Sequence, residues 1–326
     1  MNDLWNYISN SKKRLIYPQM GGMGLMLTNY SMFEVYEDAD KLLEISLQMD
    51  ETFPIDFAYP LDFGVVFLHT LGVPLRKPKY DFASAIANPI TSLEILEQLK
   101  IPNPETDGLM PEYLKGIAKI SQAIAKPQMV AVMGPFTLAA ELAGVCLLAK
   151  STIKNKEFVE HLLDFTTEAV MQFIVALKKA GATLIQISEP TTVILSPQLF
   201  HELITPRLRK IIALINEGNI SSIHICGDTT MYLSEILATN PQVISLDQIM
   251  PMEQTIQAIP AQVVLAGNLD PISLMLESSK NEVFEATKAL LKQMEPYPNF
   301  MVSFGCDCPV HTPPENLQAV LQAVYE

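Results

Sequence analysis

Arginine is scarce in this sequence. Only Arg14, Arg76, Arg207 and Arg209 occur among 326 residues, so a pocket that clamps several carboxylates or phosphates with guanidinium forks is poorly supplied. Positive charge as a whole is short: 22 Lys and Arg against 36 Asp and Glu leave a net charge of −14. That balance argues against nucleic acid or an anionic membrane surface as partner. The four cysteines are too few and too scattered for a disulfide framework. The opening MNDLWNYISNSKKRL lacks the apolar core of a secretory signal. A reducing cytoplasm is the expected setting. Long apolar runs are lacking but for MVAVMGPFTLAAELAGVCLLA (129–149), about the length of a membrane span. Gly134-Pro135 breaks that run early and Glu141 interrupts the rest. It therefore reads as a buried strand, a turn and a buried helix, with Cys146 in the core, and no membrane is expected.

What is present is apolar and periodic. At 49% hydrophobic and 18% charged residues the chain can bury a substantial core. Short apolar runs that end in turn residues recur: RLIYPQM (14–20), PIDFAYP (54–60), QMVAVM (128–133), TLIQIS (183–188), SIHIC (222–226), QVISL (242–246), QVVLAG (262–267) and FMVSFG (300–305). Several are continuous rather than alternating, as parallel strands covered on both faces require. Between most of them lie segments of helical period. SPQLFHELITPRLRKIIALINEG (196–218) starts with Ser196 as N-cap and Pro197 at the first helical position, and closes near Gly218. TPPENLQAVLQAVYE (312–326) carries Thr312 and Glu315 at capping-box spacing. Eight strands alternating with helices predict an α/β fold, a (β/α)8 TIM barrel, as one catalytic domain over 1–326. The proline-rich region 75–115, without a clear strand, reads as a helical excursion between the second and third strands. MGGMGLM (20–26) lacks the glycine spacing of a dinucleotide site.

In such a barrel the chemistry gathers where strands end and βα loops begin. The strand ends here carry Met20 to Gly24, Asp62, Met133 with Gly134, Glu189, His224 with Cys226, Asp247, Asn268 with Asp270, and Cys306. His224 and Cys226 obey the strand period of two, so both side chains leave on one face. Cys306 closes the last strand and is placed to meet them across the barrel mouth. One nitrogen and two sulfurs with a position left open is how zinc is held when it does chemistry, and the soft donors disfavour magnesium or calcium. Cys308 is an alternative to Cys306. The plainer alternative is that each cysteine is a small buried hydrophobe and His224 is satisfied by backbone.

HICGDTT (224–230), SLDQ (245–248), LAGNLDP (265–271) and GCDCPVHTPPENLQA (305–319) resemble the uroporphyrinogen decarboxylase superfamily, and within it the cobamide-dependent, methylcobamide:coenzyme M type of methyltransferase. GPFTLAAELAG (134–144) and ISEPTTVILSPQLF (187–200) extend the likeness over most of the chain. The resemblance implies a zinc site at His224, Cys226 and Cys306, with methyl transfer from methylcobalamin or a related corrinoid on a partner corrinoid protein to a thiol such as coenzyme M. The decarboxylases of this fold hold their substrate with an arginine-rich N-terminal motif. The matching YPQMGGMGLMLTNYSM (17–32) has no arginine. Asp62 falls where the decarboxylases keep a pyrrole-binding aspartate, and Glu189 stands where the methyltransferase branch is expected to have Asp.

The other residues at the mouth are candidates for supporting roles. Glu189 and Asp247 are candidates to orient His224 or to add a fourth ligand. Asn268 and Asp62 are candidates to touch the acceptor or the corrinoid, and Met20, Met23 and Met133 to wall the corrin ring. The alternative for each is a bond to loop backbone or a place in the core. Transfer to tetrahydrofolate and uroporphyrinogen decarboxylation remain competing activities. No helix shows an exposed apolar seam, so monomer and homodimer both stay open.

Overall fold

Six of the eight apolar runs fold as regular strands. The computed structural model describes residues 4–9, 11, 13–61, 64–80 and 83–326. An antiparallel pair, β1 (Leu75–Arg76) with β2 (Ser84–Ala85), lies inside the region expected to hold no strand. The central sheet is β3 (Met129–Met133), β4 (Leu184–Ser188), β5 (Ile220–Ile225), β6 (Val243–Leu246), β7 (Val264–Leu269) and β8 (Phe300–Phe304). Its six strands lie in sequence order and all neighbours are parallel. Helices occupy the connections, for example Lys156–Ala180 before β4 and Thr205–Asn216 before β5. This is the helix-covered parallel arrangement that continuous Ile- and Val-rich strands call for.

The first two runs complete the barrel as short extended segments. Ile16 bridges Val302 of β8, and Ala58 bridges Gln128 just before β3, both in parallel. Each junction has two backbone bonds: Tyr17 N–H to Val302 O at 2.8 Å and Val302 N–H to Leu15 O at 3.0 Å, then Ala58 N–H to Pro127 O and Met129 N–H to Ala58 O, both 2.9 Å. Prolines at 18, 60 and 127 lack the N–H that a longer ladder would use. Side chains join the two segments: Asp56 accepts from Ile16 N–H at 2.8 Å, and the rings of Tyr17 and Phe57 meet edge to face. The result is a (β/α)8 barrel with six full strands and two abbreviated ones.

Strand register sends Gln186, Ser222, His224 and Ser245 inward at neighbouring levels. The interior is therefore polar below the mouth, where barrels of this class are usually filled with branched aliphatics. The Tyr17 hydroxyl lies 2.8 Å from both Gln186 Oε1 and Ser222 Oγ. Gln186 Oε1 only accepts, so Tyr17 donates to it and receives the Ser222 proton.

Three local expectations need correction or refinement. Among the described residues no single helix is long and apolar enough to cross a membrane, and the run 129–149 splits at Gly144 into helices Pro135–Ala143 and Val145–Lys154 at 107°. Gly144 has φ +84°, a conformation that suits glycine. The second helix thereby turns a new face outward, and Cys146 is exposed rather than core. The predicted capping box at Thr312 does not form: Pro314 forces Pro313 into extended backbone (ψ 127°), so the helix starts at Pro314 and the buried Thr312 hydroxyl makes no hydrogen bond. The Ser196 cap does form, its hydroxyl accepting from Leu199 N–H at 3.2 Å. A π turn, Phe200–Ile204, then absorbs the N–H that Pro206 lacks.

Candidate metal centre

His224 ends the inward row of β5, and Cys226 follows one residue beyond that strand. The His224 Nε2 atom is 3.1 Å from Cys226 Sγ, which is 3.1 Å from Cys306 Sγ. The three ligand atoms lie within 4.8 Å of one another, and among the described residues they are the one group of three or more His, Cys, Asp or Glu able to share an ion. A tetrahedral zinc with bonds of about 2.3 Å spaces two sulfurs roughly 3.8 Å apart, so the donors already stand closer than the ion needs. One nitrogen and two sulfurs fit zinc. Cys308, the alternative ligand, is fully buried outside this group, and its N–H bonds to Gln19 O.

The electrostatics follow from proximity. The two sulfurs are close enough that either can donate to the other. The contact with Cys226, with His224 nearby, pushes Cys306 down, while the contact with Cys306 and burial push Cys226 up. Asp307, next to Cys306, was not singled out from sequence. Desolvation and the neighbouring sulfur push its carboxyl up to about 7, against His224 and the backbone N–H of Gly21.

Sequence reasoning also missed what holds the imidazole. Ser245 Oγ lies 3.1 Å from His224 Nδ1, and Gln19 Oε1 accepts from Ser245 at 2.8 Å. Ser245 and His224 are register partners on adjacent strands, a pairing that the period-two pattern of QVISL could have offered.

The remaining candidates take other places. Glu189 does not orient His224 through its carboxylate, which accepts from Phe136 N–H (2.9 Å), Thr137 N–H (2.8 Å) and Thr137 Oγ (2.8 Å). It caps the helix Pro135–Ala143, where a negative group meets free N–H donors. A Cβ on Gly134 would sit 2.3 Å from that carboxyl, which is why glycine stands there. Burial pushes Glu189 up to about 7 despite these bonds. Asp247 holds the Cys226 turn, its carboxylate accepting from Gly227 N–H at 2.7 Å and Ile249 N–H at 3.0 Å. The amide of Asn268 donates to Asp247 O and Met250 O at 3.0 and 2.9 Å, fixing the loop from which Asp247 reaches the Gly227 N–H. Met20 and Met23 are core residues, whereas Met133 is half-buried at the end of β3. Asp62 lies outside the described residues.

Residues 20–326 match the family model described as Uroporphyrinogen decarboxylase (URO-D). A uroporphyrinogen decarboxylase of Anaeromyxobacter dehalogenans is 26% identical over 90% of this chain and 87% of that protein. A methylcobamide:CoM methyltransferase of Methanosarcina acetivorans is 27% identical over 73% of this chain and 70% of that protein. Among solved structures, a methyltransferase from Methanosarcina mazei superposes with a TM-score of 0.89 at 21% identity, covering 99% of this chain and 97% of that one. At that identity the superposition speaks for the fold.

Proposed function

The chain belongs to the uroporphyrinogen decarboxylase (URO-D) family, and on that footing we propose that it is a zinc-dependent methyltransferase. It takes a methyl group from a methylated corrinoid carried by a separate corrinoid protein and gives it to a thiol of the coenzyme M kind. Relatives bearing the decarboxylase and methyltransferase names are about equally similar, so the site has to decide. The observation that carries the reading is the convergence of His224, Cys226 and Cys306 on one point. Decarboxylation of a polycarboxylate has no use for two soft sulfurs and would need the arginines that 17–32 lacks.

His224 Nε2 and the two sulfurs would hold the ion. A free alkyl thiol has a pKa near about 8.5, and zinc bound there with a position open supplies the positive charge that deprotonates an acceptor thiol. Two cysteinates on the ion would balance that charge, so the acceptor sulfur would keep its nucleophilicity. Asp247 and Asn268 hold the turn that carries Cys226. With donor and acceptor bound, the acceptor sulfur would take the methyl carbon, the S–C bond forming as the Co–C bond breaks and its electron pair stays with cobalt. The acceptor's proton leaves to solvent.

A partner-borne donor is supported by the rim. Val193, Ile194, Met231, Ile249 and Ile272 are exposed apolar residues on the loops that follow β4, β5, β6 and β7. All four cysteines are free, which suits a reducing cytoplasm, and we take 1–326 as a single catalytic domain. The test is loss of methylcobalamin absorbance with a panel of thiols and tetrahydrofolate, with and without chelator, beside elemental analysis. Equimolar zinc and thiol-dependent, chelator-sensitive demethylation are expected. A metal-free protein with full activity, or carbon dioxide release from uroporphyrinogen, would overturn the reading.

A further inference from the structure

We infer that Gln19 and Ser245 act as a pair that selects the tautomer of His224, so that Nε2, and not Nδ1, is the nitrogen offered to the metal. The inference rests on the zinc reading for its purpose, but its geometry stands alone. Ser245 and Gln19 are 1% and 2% exposed, so no bulk water competes for their bonds. A hydroxyl has one proton. The proton of Ser245 is committed to Gln19 Oε1 at 2.8 Å, so toward the imidazole 3.1 Å away Ser245 Oγ can only accept. Nδ1 must then carry the hydrogen of the neutral ring, and the lone pair falls to Nε2, beside Cys226 Sγ. Gln19 reaches this position from the first barrel segment, 226 residues away in sequence from Ser245.

The pair is neutral. The partner of a metal-ligating histidine is commonly a carboxylate. Glu189 and Asp247, the acidic residues nearest in the strand order, point their carboxylates at backbone N–H groups instead. A hydroxyl–amide pair fixes the tautomer without adding a buried negative charge behind a site whose two cysteines would both become thiolates on the metal. Gln19 is thus a positioning residue that touches no ligand atom.

Removing Gln19 has a specific consequence. The Ser245 hydroxyl is released, can rotate, and can donate to Nδ1, which favours the ring with hydrogen on Nε2. The experiment is 15N–1H correlation of the histidine ring in metal-free, reduced protein near pH 8, with zinc affinity measured against a chromophoric chelator. In the parent protein Nδ1 is expected to carry the hydrogen. Gln19→Leu should shift the population toward hydrogen on Nε2 and weaken zinc by roughly 10–100-fold, the range for losing such a support. Ser245→Ala should weaken zinc similarly, and Ser245→Thr, which keeps a hydroxyl, should bind as the parent does. Hydrogen on Nε2 in the parent overturns the inference, and so does a folded Gln19→Leu with unchanged tautomer and affinity. Should Gln19→Leu not fold, the parent tautomer decides alone. Neither readout uses a methyl donor or acceptor, so failure of the methyl-transfer reading would leave this result distinguishable.

Discussion

Glu189 and His224 end adjacent strands, and their backbones are joined by Glu189 N–H to His224 O at 2.9 Å. Both are buried polar residues at the mouth of the barrel. Yet one side chain turns to the N-terminus of the following helix and the other turns inward to two sulfurs. A strand end sets where a side chain emerges. The element that comes next decides what it can meet: a helix start with free N–H groups captures a carboxylate, while the barrel interior gathers donors from several strands.

Substitution separates the two roles, beginning with the largest effect. Cys306→Ser removes a ligand, and zinc affinity should fall by more than about 100-fold, beyond what an outer support costs. Methylcobalamin demethylation should vanish with it while the melting curve of the metal-free protein is little changed. A serine variant that still holds equimolar zinc would end the comparison. Glu189→Ala should do the reverse. It strips two backbone N–H groups of their acceptor at about 1–3 kcal/mol each if left unmet, so denaturant midpoints should drop while zinc affinity stays near that of the parent.

The pH dependence of stability sharpens the same contrast. Glu189 is held at about 7 in the fold against an ordinary 4.5, so the folded state keeps a proton that the unfolded chain releases. Its contribution is full below pH 4.5 and lost as pH rises through 7. Unfolding free energy in that window should therefore slope downward in the parent, with a shallower slope in Glu189→Ala. The smallest effect belongs to the rim. Ile249→Glu, on an exposed side chain, should slow transfer from a protein-borne corrinoid several-fold and leave free methylcobalamin turnover and zinc content unchanged.

The pairing of His224 with Cys226 was legible because a strand repeats every two residues, and Cys306 because it ends another apolar run. Six strands appeared where periodicity put them, with shifts of a residue or two at their ends. The misses have physical causes. Glu189 and Asp247 sit at strand ends as the three converging residues do, and only the packing of the next element tells them apart. Gln19 and Ser245 hide inside apolar runs, where one polar residue reads as noise until its neighbours across the sheet are known. Cys146 was misplaced because an apolar run conceals a bend until Gly144 is seen to make it. Thr312 was misread because capping-box spacing ignores what Pro314 does to the residue before it.

The hoop of the barrel has a seam. Where the strands β3 to β8 meet through continuous ladders, the segments around Ile16 and Ala58 are fastened to their neighbours by two main-chain bonds apiece and to one another through Asp56. Amide hydrogens along this stretch should exchange with solvent sooner than those of β4 and β5, since fewer bonds must open. Gln19 rides on that seam. Breathing of the weakest part of the wall would therefore be felt first at the imidazole on its far side.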